Sequence, residues 1–221
     1  MGSNQPGSVQ PGRNGEYAEI VQLTVLLDEI VERVPVAEWC RFFGPEQVQA
    51  WNQPELDAIN QDTLREAFQP PNKAVQMVVW GPNHFGYLEF QLAAPPAEWS
   101  EPFEPPRQWQ CQFYDPHPEG HEGLTRVCQR LFQHVQDITD LQGSALPPSA
   151  LPQPWLQKDG WSCGYHSARL LEVRRRGLRG ERPSPVPSME TYLAANKALV
   201  EKLQVLQAEH LRVPWPPPPS I

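Results

Sequence analysis

No hydrophobic run in the 221 residues approaches the length a bilayer-spanning helix requires, which predicts a chain that does not cross the membrane. Nor is there a signal-like apolar stretch after Met1, because the residues up to Glu16 are dominated by Gly, Ser, Gln, Asn and Pro. Cysteine is scarce: Cys40, Cys111, Cys128 and Cys163 stand far apart with no C-x-x-C pair. That spacing excludes a disulfide scaffold and predicts reduced thiols in an intracellular protein of the cytoplasm or nucleus. Basic charge is also in short supply, with 18 Lys and Arg against 26 Asp and Glu, giving a net charge of −8. A surface built to neutralise phosphates needs the opposite balance, so neither nucleic acid nor membrane is an expected partner. No internal repeat is visible.

Proline is what the chain has in excess. Its 27 prolines cluster, so part of the length is loop and tail rather than core. Residues 1–15 form a leader with nothing to bury, 16–211 suit a single domain, and 212–221 make a polyproline-like tail. Helical spacing of apolar residues predicts a helix over Tyr17–Val34. Shorter helical pieces are expected over Val36–Phe43 and Glu46–Trp51, and another helix over Pro54–Phe68. The period then changes to that of strands at Ala74–Trp80, His84–Leu92 and Trp109–Tyr114. Proline-rich residues 94–107 form an insertion before the third strand. A helix follows from about Glu122 to Ile138, with Leu124, Val127, Leu131, Phe132, Val135 and Ile138 in one stripe. Ser188 caps a last helix expected to pack on the domain through Tyr192 and its neighbours. Arg174-Arg175-Arg176 is expected to be a solvated helix end, and His134 and His210 surface residues.

The chemistry concentrates around Leu156-Gln157-Lys158-Asp159-Gly160-Trp161-Ser162-Cys163-Gly164. The run Gly164–Leu178 predicts a helix, which puts Cys163 at or beside its N-terminus. A thiol there lies near unpaired backbone N–H groups and the positive end of the helix dipole, both of which favour thiolate. Gln157, six positions earlier, is close enough across a tight turn for its amide to face a developing oxyanion. The bland alternative is a small buried cysteine after an ordinary Asp-Gly turn.

A cysteine nucleophile needs an imidazole in reach and a third group to orient it. His84 opens a strand just after the Gly81-Pro82-Asn83 turn, and Asp115 ends the neighbouring strand. Side by side, those strands would set the acid on one ring nitrogen while the Cys163 helix faced the other. His166 is the competing base, but a partner three residues along one helix rarely leaves room for a substrate carbonyl. His117 and His121, in H-x3-H spacing, could be drawn with Cys111 and Cys128 as a zinc set. Structural zinc sites usually show a close cysteine pair, which is missing here, so no metal is expected.

The order His84, Asp115, Gln157, Cys163 resembles the Ulp/SENP family of ubiquitin-like-protein-specific cysteine proteases, within the adenain-like clan. The resemblance is carried by His84-Phe85 to Leu88, by Phe113-Tyr114-Asp115, and by Gln157-x-x-Gly160-x-Ser162-Cys163-Gly164, over roughly residues 74–178. It implies an α+β, papain-like fold with a small central sheet flanked by helices. It implies Cys163 as nucleophile, His84 as general base, Asp115 as the residue orienting the ring, and Gln157 with the Cys163 backbone N–H as the oxyanion hole. It further implies hydrolysis after the C-terminal Gly-Gly of SUMO or a similar modifier, often at an isopeptide bond, with no cofactor. The chain departs from the family in three places. Phe85 stands where Trp is usual, residues 94–107 lengthen the loop between the His and Asp strands, and Asp115 is followed by Pro-His. A non-catalytic modifier-binding module on the same fold is the alternative from a different functional class.

Overall fold

The computed structural model describes residues 20–93, 108–117, 119, 121–139, 162–181, 188, 190–192 and 194–196. A four-stranded sheet in the order β1-β2-β3-β4 lies at its centre, formed by β1 (Cys40–Phe43), β2 (Ala74–Gly81), β3 (His84–Leu92) and β4 (Trp109–Tyr114). β1 runs parallel to β2, and the other neighbouring pairs are antiparallel. Helices cover both faces: α1 (Ile20–Arg33), α2 (Pro45–Trp51), α3 (Ala58–Ala67), α4 (Glu122–Ile138) and α5 (Cys163–Leu178). The architecture is α+β, as expected.

Two cores explain the layering. On one face, Val75, Met77, Val79, Leu88, Phe90 and Phe113 pack against Trp51 of α2, Leu64 of α3 and the Leu124–Val135 stripe of α4. On the other, Val78, Phe85 and Tyr87 meet Leu23, Leu26, Leu27 and Ile30 of α1 and Ala168, Leu170 and Leu171 of α5. A sheet covered on both sides demands apolar residues at successive positions, which is why β2 reads as a continuous run rather than an alternation.

Helix ends follow local chemistry. Asp57 caps α3 by accepting the Asn60 N–H at 2.8 Å, which starts that helix later than the pattern from Pro54 suggests. Ser188 Oγ accepts the Thr191 N–H at 3.2 Å, and Tyr192 and Asn196 beyond it are buried, so this segment packs on the domain.

Three expectations are corrected. Residues 40–43, read as helical, form β1, because pairing with the buried strand β2 overrides a short ambiguous pattern. His134, read as a surface residue, is buried on α4, with Nε2 2.9 Å from the Gln53 carbonyl oxygen. The arginine trio is not a solvated helix end. Arg175 is buried and donates to the Val34 carbonyl at 2.9 Å, capping the end of α1, and to Gln76 Oε1 at 3.2 Å. Arg174 pairs with buried Glu89, and Arg176 bridges Glu172 and Glu181. No helix among the described residues is long and apolar enough to cross a membrane.

Candidate active site

The β2–β3 hairpin turns through Pro82 and Asn83, the latter in the left-handed region at φ 59°, a conformation Asn tolerates better than most residues. His84 is therefore the first residue of β3, at the sheet end where antiparallel β4 finishes. The register Tyr87 to Tyr114 brings Asp115, one residue past β4, to the same end. There the two side chains meet, with His84 Nε2 2.7 Å from Asp115 Oδ1.

This end of the sheet is packed at backbone contact distance. A Cβ placed on Gly81 would stand 2.8 Å from the Leu124 backbone, and one on Gly123 would stand 2.8 Å from Pro82 Cδ. Glycine at both positions lets the start of α4 sit directly on the hairpin that carries His84.

Asp115 is buried and accepts three hydrogen bonds. Oδ1 takes the His84 ring and the His117 N–H at 2.8 Å, while Oδ2 takes the His121 N–H at 2.7 Å. Burial alone would raise its pKa, but the His84 hydrogen bond, these backbone donors and the charge on His84 together hold the carboxyl below its ordinary value.

Cys163 is the first residue of α5, at the N-terminus expected from sequence, and its side chain is buried. Cys163 is near enough to the His84 ring to act on its pKa along with Asp115. With Nε2 engaged by the carboxylate, Nδ1 is the nitrogen left for the sulfur. Burial disfavours a charged His84, but the hydrogen bond to Asp115 and then the influence of Cys163 outweigh it, and the ring's pKa rises to about 9. These influences favour the charged form of the ring beside Cys163.

The remaining thiols are placed differently. Burial pushes Cys40 up to about 11 and Cys111 up to about 12, and drives Cys128 well above its ordinary value. All four cysteines are free. His166, the competing imidazole, is buried within α5. Among the described residues, no group of three or more His, Cys, Asp or Glu side chains could hold a metal ion. Gln157 and its turn, the insertion 94–107, His210, the leader and the proline-rich tail lie outside the described residues.

Sequence reasoning missed the two histidines that surround His84. The His121 ring stacks on it with centroids 5.0 Å apart and planes 27° apart, and the His117 ring meets it edge-on at 6.0 Å. Both supply backbone N–H groups to Asp115. The signal was present in the Asp115-Pro116-His117 departure from the family pattern, since a tight turn after an aspartate folds the following N–H groups back onto its carboxylate.

No family model and no curated protein sequence matches the chain. Solved structures do. The Xanthomonas campestris effector protein XopD bound to ubiquitin superposes with a TM-score of 0.56 at 17% identity, over 86% of this chain and 97% of that one. A de-sumoylating protease superposes with a TM-score of 0.52 at 12% identity, over 86% of this chain and 80% of that one. The fold is that of the Ulp/SENP-type proteases. The resemblance read from His84, Asp115 and the Cys163 segment therefore holds at the level of fold.

Proposed function

We propose that the chain is a cysteine peptidase or isopeptidase in which Cys163 is the nucleophile, His84 the acid–base and Asp115 the residue that orients the ring. One observation carries this reading: His84 Nε2 lies 2.7 Å from the buried Asp115 carboxylate, and the same ring is within electrostatic reach of the buried cysteine that opens α5.

The chemistry follows from that arrangement. The Cys163 sulfur attacks the scissile carbonyl carbon, and the negative charge moves to its oxygen. The Cys163 backbone N–H at the start of α5 faces that charge, with Gln157 as the expected second donor. As the tetrahedral intermediate collapses, His84 gives its proton to the leaving amine, and a thioester to Cys163 remains. Neutral His84 then takes a proton from water, the hydroxide attacks the thioester, and collapse releases the acid and restores the starting Cys163–His84 pair. Asp115 stays ionised throughout and stabilises the imidazolium.

The substrate class follows from fold and sequence together: the C-terminal Gly-Gly of a ubiquitin-like modifier, with SUMO-like and ubiquitin-like modifiers both inside it. The test is a panel of ubiquitin and ubiquitin-like proteins carrying a C-terminal electrophile. The expected result is one covalent adduct at Cys163, absent in Cys163→Ala. A folded wild-type chain that reacts with none of the panel, yet binds a modifier as well after Cys163→Ala, would make it a binding module instead.

A further inference from the structure

The three histidines at the sheet end are not equivalent: His117 and His121 both donate to Asp115 and touch the His84 ring, but it is His121 that also caps α4. His121 is the residue before α4, and its ring Nδ1 accepts the Leu124 N–H at 3.3 Å, which caps the helix. Its backbone N–H donates to Asp115 Oδ2 at 2.7 Å. Its ring covers one face of His84 at 5.0 Å. One residue thus fixes the start of α4, the carboxylate and the catalytic ring at once.

We propose that His121 is a positioning residue that makes the site sensitive to acid: its neutral ring clamps His84 against Asp115 and Cys163, and its protonated ring releases it. The inference rests on the peptidase reading above.

Geometry sets the sign. Nδ1 can accept the Leu124 N–H only while it carries no proton, so the capping ring is neutral. A proton on Nδ1 would turn two donors toward each other at the first turn of α4. It would also put a cation at the positive end of the helix dipole and a second cation against the face of charged His84. The groups facing His121 are His84 from β3, Asp115 and His117 from the segment after β4, and Glu122 from α4. Burial first, then the charges of His84 and His117, oppose protonation, while Asp115 and Glu122 favour it, and the balance lies on the side of the neutral ring. His117 is not built into the site in the same way. Its Nδ1 accepts the N–H of exposed Glu119 at 3.3 Å, outside α4, and its ring meets His84 only edge-on.

The test uses the full chain and needs no modifier. Iodoacetamide alkylation of Cys163, resolved by mass spectrometry, is followed between about pH 5 and pH 8 for wild type, His121→Asn and His121→Ala. Asn keeps a capping acceptor but cannot titrate. Wild type is expected to lose reactivity toward acid with a slope steeper than one proton. His121→Asn should lose it with the slope of a single proton, and react roughly tenfold faster than wild type at about pH 5. His121→Ala should share that shallow slope with lower thermal stability. Histidine ring NMR of wild type should show His121 titrating below the ordinary histidine range, and the His84 signals moving in the same step. Superimposable wild-type and His121→Asn profiles would overturn the proposal, as would a His121 titration that leaves the His84 signals unmoved. If the profiles separate but no modifier is cleaved, the acid sensitivity stands and the peptidase reading falls.

Discussion

Asp115 Oδ1 lies 2.7 Å from His84 Nε2, and the same oxygen accepts the His117 N–H at 2.8 Å. The carboxylate is therefore held by the backbone before it holds the ring. A hydrogen bond between two free side chains would cost more conformational entropy, because both would have to be fixed at once. Here the turn after β4 fixes one of them, and the ring meets an acceptor that is already in position.

That rigidity gives Asp115→Asn a clear expected effect. Asn keeps an oxygen for one of the two backbone donors and turns its amide nitrogen toward the other, so some stability should be lost, while circular dichroism checks that the fold is kept. Asn lacks the charge that stabilises the imidazolium, and kcat/KM on a cleaved modifier should fall on the order of 10²- to 10⁴-fold. The alkaline limb of the pH profile should also move to lower pH, because the hydrogen bond to Asp115 is the largest influence raising His84.

The same shifts predict how stability depends on pH. His84 is raised in the folded chain to about 9, so its contribution is complete below about 6.5, the ordinary histidine value, and is lost as pH rises toward 9. Asp115 is lowered, so its contribution is present above about 3.9 and is lost as pH falls through its folded value. Urea unfolding of wild type and His84→Gln should differ most between those limits. The two curves should converge toward both acid and alkaline pH. A difference that grows above pH 9 would contradict the assignment of the shift to His84.

Far from the site, Glu89 of β3 is buried and makes a two-point bond to Arg174 of α5, with distances of 2.9 and 3.1 Å. Tyr87 donates to the same carboxylate at 2.6 Å. Arg174→Met should destabilise the chain by about 3–5 kcal/mol, because it leaves a buried carboxylate without its cation. Adding Glu89→Gln should recover much of that loss, since it removes the orphaned charge. Chemical denaturation of the two variants measures both effects.

How much of this was legible in the sequence depended on whether the signal was local. β2, β3, β4 and α4 each carry an apolar pattern of the correct period over their own length, and the sequence reading placed them to within a residue or two. Cys163 at the start of α5 was legible for the same reason. β1 was not, because four residues on the edge of the sheet owe their extended form to the neighbouring β2. The arginines were misread because three consecutive cations look alike along a chain. What separates them is a carboxylate on β3 and a carbonyl at the end of α1, each more than eighty positions away. The stack of His121 on His84 was hidden for a similar reason, since it depends on the close approach of α4 to the hairpin rather than on spacing.

Gly86 puts that close approach to the test. A Cβ there would stand 2.6 Å from Leu124 Cδ2 and 2.9 Å from the Tyr114 carbonyl oxygen. The first contact is with the end of a side chain, and the second with backbone one residue before Asp115. Gly86→Ala should therefore cost about 1–3 kcal/mol of stability through overpacking. It should also lower kcat/KM, because relief of the second contact moves the end of β4 and takes Asp115 with it. Leu124→Val in the same chain removes the Cδ2 contact but leaves the carbonyl in place. The double variant is expected to regain part of the stability of Gly86→Ala and little of its activity. Equal recovery of both would mean that the methyl presses only on the leucine, and that the end of β4 does not move.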